Sequence, residues 1–140
     1  MKYNSSSVTV KIAYSCLLAI IGFVITIAIT LTVVRSSPDI QLPKIDTYFF
    51  VACFIAPIVE EFIFRKLIND YRKSRSGNPI VYGFISVSLF ALVHLVKGNA
   101  IFPYPQVILG AVCWYLCVKF NWRYSVIAHS LFNALTLSLH

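Results

Sequence analysis

The chain has 140 residues, one domain by length. Hydrophobic residues make up 59% and charged residues 12%, against roughly a quarter charged in ordinary globular domains. So few charges exclude a water-facing surface around a core of this size, and the apolar surface must meet lipid. Twelve Lys and Arg against five Asp and Glu give a net charge of +7. The basic residues fall between apolar runs, which reads as membrane topology and contact with anionic lipid headgroups. There is no Lys/Arg-rich domain to carry a nucleic-acid site.

Five apolar segments follow in order. Lys2 and Lys11 precede the first, Ile12–Val34. It is longer than a signal-peptide apolar region of roughly 7–15 residues and has no clear small-residue cleavage site, so it reads as a retained transmembrane helix. Arg35 to Asp46, with two Pro and two Ser, reads as an external loop. The second segment runs from Tyr48 to about Ile68, and Asn69 to Asn78 reads as a basic loop with Pro79 starting the next helix. The third is Ile80–Val96, ended by Lys97-Gly98-Asn99. The fourth is Ile101–Phe120, with Pro103 and Pro105 near its start. The fifth is Tyr124–Leu139. Backbone polar groups must be paired in lipid, so these segments predict helices, and no ten-residue alternation suggests a barrel. The expectation is an all-α polytopic bundle of about five spanning helices. Residues 1–45 form an N-terminal helix and loop, and 46–140 a four-helix core. Cys16, Cys53, Cys113 and Cys117 lie inside apolar runs without a C-x-x-C pair and read as small buried hydrophobes.

Charge asymmetry predicts orientation. With the Asn69–Asn78 loop cytoplasmic, that side holds Lys2, Lys11, Lys66, Arg72, Lys73, Arg75, Lys119 and Arg123. The other side holds Arg35, Lys44 and Lys97. This places the N-terminus in the cytoplasm.

Two of the five acids, Glu60 and Glu61, sit inside an apolar span. A charge at the centre of a membrane helix costs about 2.5–3.5 kcal/mol on insertion scales, so such residues are functional candidates by default. Glu61 and Arg65 are four apart and predict an ion pair along one helix face. Glu60 points about 100° away, with no charged partner on its own helix, which suits a general base. His94 lies near the end of the third segment. His129 and Asn133 share a face of the fifth. His140 reads as an exposed terminus. Glu60 and His94 lie at matching depths below the basic loop, about 21–22 Å along their axes. His129, only about 9 Å beyond Arg123 by the same rise, does not match unless the second helix projects further or the Asn121–Arg123 turn is sunk.

Glu60-Glu61-Phe62-Ile63-Phe64-Arg65 resembles the E-E-x-x-x-R motif of the CAAX-processing and bacteriocin-processing (CPBP) intramembrane proteases, which include the Rce-type CAAX prenyl proteases. Phe90 to His94 is similar to their F-x-x-x-H motif, and His129 to Asn133 to their H-x-x-x-N motif, in the same order. The resemblance covers roughly Tyr48 to Leu137. It implies a peptidase in which Glu60 and His94 activate water, His129 and Asn133 bind the oxyanion, and Glu61 and Arg65 are structural. The family has been classed with metalloendopeptidases, and Glu60, His94 and His129 are the residues for a zinc site. A metal-free site is preferred, because Asn133 is a poor zinc ligand and a good oxyanion donor. The resemblance further implies a bacterial cell-membrane protein, a peptide or lipidated-protein substrate, and roles in peptide maturation or bacteriocin self-immunity. A non-catalytic immunity or scaffold protein of the same fold is the alternative.

Overall fold

The computed structural model describes residues 7–34, 46–97 and 103–138. The predictions for Arg35–Lys44, Gly98-Asn99, Leu139 and His140 lie outside those residues. Among the described residues there are helices and no strands, and the helices pack into one all-α bundle.

The first helix, α1 (Val8–Ile29), begins at Ser7, whose hydroxyl accepts the Val10 N–H, and continues through a wide turn, Thr30–Val34. Its buried face is made of small residues, Ser15, Ala19, Gly22 and Thr26. These let it approach the helices that follow closely, as small residues do in membranes. The Ser15 and Thr26 hydroxyls bond back to the carbonyls of Lys11 and Gly22, so neither is left unpaired in the interface.

The second helix, α2, runs from Thr47 to Ser74 and starts on an Asp46 cap at the Phe49 N–H. Two stretches are wound wider, with i→i+5 geometry: Val51–Ile55 and Phe62–Leu67. The first has a cause in the sequence. In a wide turn the Ala52 carbonyl awaits the N–H of residue 57, and residue 57 is Pro, which has none. That carbonyl is taken instead by Asn133 (below). The predicted Asn69–Asn78 loop is shorter in the structure. Asn69–Ser74 stay helical, held by the Lys66–Asp70 pair at 2.9 Å and by Arg72 Nε donating to Asn69 Oδ1.

Pro79 opens α3 (Pro79–Lys97), with Asn78 Oδ1 accepting the Ile80 N–H. The fourth helix, α4, is Tyr104–Lys119, and α5 is Trp122–Leu137, capped by Asn121. Gly83 of α3 admits Trp114 of α4, whose indole donates to the Pro79 carbonyl at 3.0 Å. The core lies where Phe90, Leu109, Cys113 and Phe132 meet, with Phe23 of α1 packed against it.

The first two helices, Val8–Thr32 and Thr47–Ser74, are long and apolar enough to cross a membrane. Pro79–Leu95 is apolar and shorter, and α4 and α5, at 16 residues each, rise about 24 Å. Large apolar side chains cover the outside of the bundle. Phe84 is 73% and Ile80 68% exposed, which only lipid accommodates at this density. The protein is an integral membrane protein.

Candidate active site

The site is built from the middle of α2 outward. Glu60 and Glu61 are adjacent on the helix and point into different surroundings, as their 100° separation requires. Glu61 is fully buried, and Glu60 is about one-fifth exposed toward a cavity.

Glu61 is the centre of a buried polar chain. Its Oε2 lies 3.3 Å from Nε of Arg65, which is also fully buried. The contact is an ion pair rather than an aligned hydrogen bond, since neither atom meets hydrogen-bond geometry. The guanidinium takes further contacts from α3, while its NH2 has no hydrogen-bond partner among the described residues. Its NH1 donates to Ser86 Oγ at 3.1 Å, and its plane lies 4.6 Å from the ring centre of Phe90. Ser86 in turn donates to the Phe64 carbonyl at 2.6 Å, within the second widened stretch of α2. Gly110 of α4 leaves room beside the guanidinium, because a Cβ there would stand 3.5 Å from NH2 of Arg65.

The other oxygen, Glu61 Oε1, accepts His129 Nδ1 at 2.9 Å. His94 Nδ1 donates to the Phe90 carbonyl at 2.8 Å. A carboxylate and a carbonyl only accept, so each imidazole carries its proton on Nδ1 and turns Nε2 to the cavity. The two Nε2 atoms converge on Glu60. His94 Nε2 lies 3.9 Å from Oε1 and His129 Nε2 lies 3.6 Å from Oε2. Both gaps exceed a direct hydrogen bond. Asn133 reaches the same cavity, with Nδ2 donating to the Ala52 carbonyl at 2.8 Å. That bond uses one of its two N–H groups. The cavity, about 580 Å³, is lined by Glu60, His94, His129 and Asn133 together with Leu109 and Phe132. Its size is within the range of small-ligand sites.

All six residues singled out from the motifs are therefore in one place. His129 reaches the depth of Glu60 because α2 overruns the start of α5. The Phe62 ring packs edge-on against Trp122, the first residue of α5, at 5.9 Å, and Ile63–Ser74 continue beyond it.

The donor set has one feature that a divalent ion would use. Metal-binding histidines keep their second nitrogen on a carboxylate or carbonyl, as His129 and His94 both do here, and the free Nε2 atoms face an unpaired carboxylate. Glu60, His94 and His129 carry donor types that would suit such an ion, with the two Nε2 atoms nearest different oxygens of Glu60. Among the described residues, the trio whose ligand atoms all lie within 4.8 Å of one another is Glu61, Cys113 and His129. In that trio the carboxylate is already engaged by Arg65 and His129.

The family model for type II CAAX prenyl endopeptidases, Rce1-like, matches residues 44–135, which hold every one of these side chains. The chain belongs to the Rce1-like family. No curated protein and no solved structure matched it.

Two contributors, Ser86 and Cys113, lie outside the motifs, and Phe90 stands in one with no role assigned to it. Ser86 closes the polar chain, Phe90 is more than a motif letter, and Cys113 packs beside Glu61. Phe90, fully buried, lies under Arg65 and is edge-on to His129 at 5.6 Å. The signal for two of them was present: Ser86, Phe90 and His94 recur every four residues, so one face of α3 carries all three. Family membership of the Rce1-like type carries the chain's assignment as a CAAX-type membrane endopeptidase at family level.

Proposed function

We propose that the protein hydrolyses a peptide bond at this cavity, with Glu60 as general base. The observation that carries the reading is the convergence of both Nε2 atoms on Glu60, at 3.9 and 3.6 Å, inside a cavity of the bundle. These gaps suit a water held between carboxylate and imidazole. Glu60 and His94 take a proton from that water as its oxygen attacks the scissile carbonyl. The carbonyl oxygen becomes an oxyanion. The second N–H of Asn133 donates to it, and His129 adds a donor from Nε2 when it takes a second proton as the imidazolium that Glu60 and Glu61 flank. Glu61 and Asn133's bond to Ala52 hold these donors in place before the charge develops, which is where electrostatic catalysis gains most. The proton then passes to the leaving amine and the C–N bond breaks. Glu61 and Arg65 act through His129 and are positioning residues.

A metal-free site is the preferred form. A divalent ion held by Glu60, His94 and His129 would polarise the carbonyl and lower the pKa of bound water. The second reading is supported by the Nδ1 contacts of both histidines. The test uses purified protein with farnesylated and unlipidated peptides, with and without chelator. Glu60→Gln removes the base while keeping the side chain's shape, and should lower kcat/KM by about 10²–10⁴-fold. Retention of full cleavage by a folded Glu60→Gln protein would end the catalytic reading, and loss of wild-type cleavage on chelation would replace the metal-free form. Roles in peptide maturation or bacteriocin self-immunity are consequences of which peptide is cut.

A further inference from the structure

The two ends of the bundle differ in charge and in access. One end carries the α2–α3 and α4–α5 turns and the first turns of α1. Arg72, Lys73 and Arg75 lie there, with Lys119, Arg123 and Lys11. The segments that join the helices at the other end carry Arg35, Lys44 and Lys97 against Asp39 and Asp46.

The cavity belongs to the sparsely charged end. His94 follows the start of α3 by fifteen residues, about 22 Å, and precedes its last residue by three, about 4.5 Å. Four other lining residues point the same way. Tyr48 is in the first turn of α2, Pro105 and Gln106 are in the first turn of α4, and Thr136 is in the last turn of α5. At the basic end the core between the cavity and the turns is filled. Arg65, Ser86, Cys113, Ser125 and Leu116 are all fully buried there.

Basic loops stay in the cytoplasm. We infer that the cavity opens away from the cytoplasm, and that its substrate is a peptide segment presented on the extracytoplasmic side. This rests on the proposed peptidase reading for what happens in the cavity, and on charge and geometry alone for which side it faces. The lining fits an extended peptide with apolar side chains. Leu109, Phe132 and Val51 form its walls, while Gln106, Tyr48 and Thr136 supply polar groups for a backbone near the mouth.

Two measurements separate the claims. The first labels single-cysteine additions in intact cells with a membrane-impermeant maleimide, using the unsubstituted chain as the background control. Tyr48→Cys, at the exposed rim, should label at once. Ser76→Cys, in the α2–α3 turn, should label only after permeabilisation. The reverse pattern, or labelling of both without permeabilisation, overturns the inference. The second supplies a quenched fluorogenic peptide, unlipidated or farnesylated, to the outside of sealed right-side-out vesicles. Cleavage of the external peptide at 50% or more of the rate after detergent lysis is expected. Cleavage that appears only after lysis overturns the sidedness and leaves the peptidase reading standing. If lysed vesicles cleave neither peptide, the peptidase reading falls, and the labelling still decides which way the cavity faces.

Discussion

The Glu61–Arg65 pair is the sharpest place to test the reasoning. Both side chains are fully buried, 3.3 Å apart, in a bundle surrounded by lipid. Removing one partner leaves the other charge buried without compensation, which in proteins destabilises by about 3–5 kcal/mol. Glu61→Gln keeps an oxygen for His129 Nδ1 and strands the guanidinium, which cannot shed its proton. Ser86 and the Phe90 face still hold that guanidinium. Those contacts contribute about 1.5–3 kcal/mol for a charge-assisted hydrogen bond and up to about 2 for a desolvated cation–π contact, so the cost of Glu61→Gln should fall at the low end. Arg65→Met strands the carboxylate and also removes the Ser86 and Phe90 contacts, so it should fall at the high end. The double variant removes both charges and should cost less than the sum of the singles by about 2 kcal/mol or more, the upper part of the range for directly contacting pairs. The assay is unfolding of the four proteins in one detergent, monitored by retained monodisperse fraction against temperature and denaturant. Single variants each within about 1 kcal/mol of wild type, with an additive double, would refute the argument. In that case the pair would be solvated and the burial of the site misjudged.

Other consequences follow from single contacts. Asn133→Leu leaves the Ala52 carbonyl without its donor, so it should destabilise by about 1–3 kcal/mol and also reduce cleavage, whereas Thr136→Val, one turn further, should change stability by less than about 1 kcal/mol. Gly83→Ala sets a Cβ 2.7 Å from Trp114 Nε1, and the resulting overpacking should cost about 1–3 kcal/mol in thermal unfolding. Gly22→Ala meets nothing nearer than 3.4 Å, so it should be neutral or stabilising by up to about 1 kcal/mol; equal losses at both glycines would contradict the packing of α1 and α3. Glu61→Leu, which takes the acceptor from His129 Nδ1, should lower kcat of the remaining folded protein about tenfold or more with little change in KM, while Glu61→Gln retains most of it; a loss confined to KM would make Glu61 a binding residue instead.

Composition and local spacing determined a good deal by themselves. Hydropathy marked an all-α membrane protein because unpaired backbone has no place in lipid. The i,i+4 relation placed Glu61 on Arg65 and His129 with Asn133, since contacts four residues apart depend only on helical geometry. The motifs named the residues of the cavity. The depth of His129 was not legible, because it depends on where α5 begins beside α2, and the Phe62–Trp122 packing decides that. Nor was the length of the basic loop, because the helical pairs Lys66–Asp70 and Asn69–Arg72 extend α2 through residues that read as a linker. Which acid serves which imidazole was decided only by tertiary structure. The rotation of α2 against α5 sends Glu61 to Nδ1 of His129 and leaves Glu60 facing both Nε2 atoms. Pro57 hints at a free carbonyl, yet only packing brings Asn133 to it, 81 residues along the chain. Helical spacing sets which side chains share a face. The azimuth and height of one helix against another come from the fit of whole surfaces, and no local pattern encodes them.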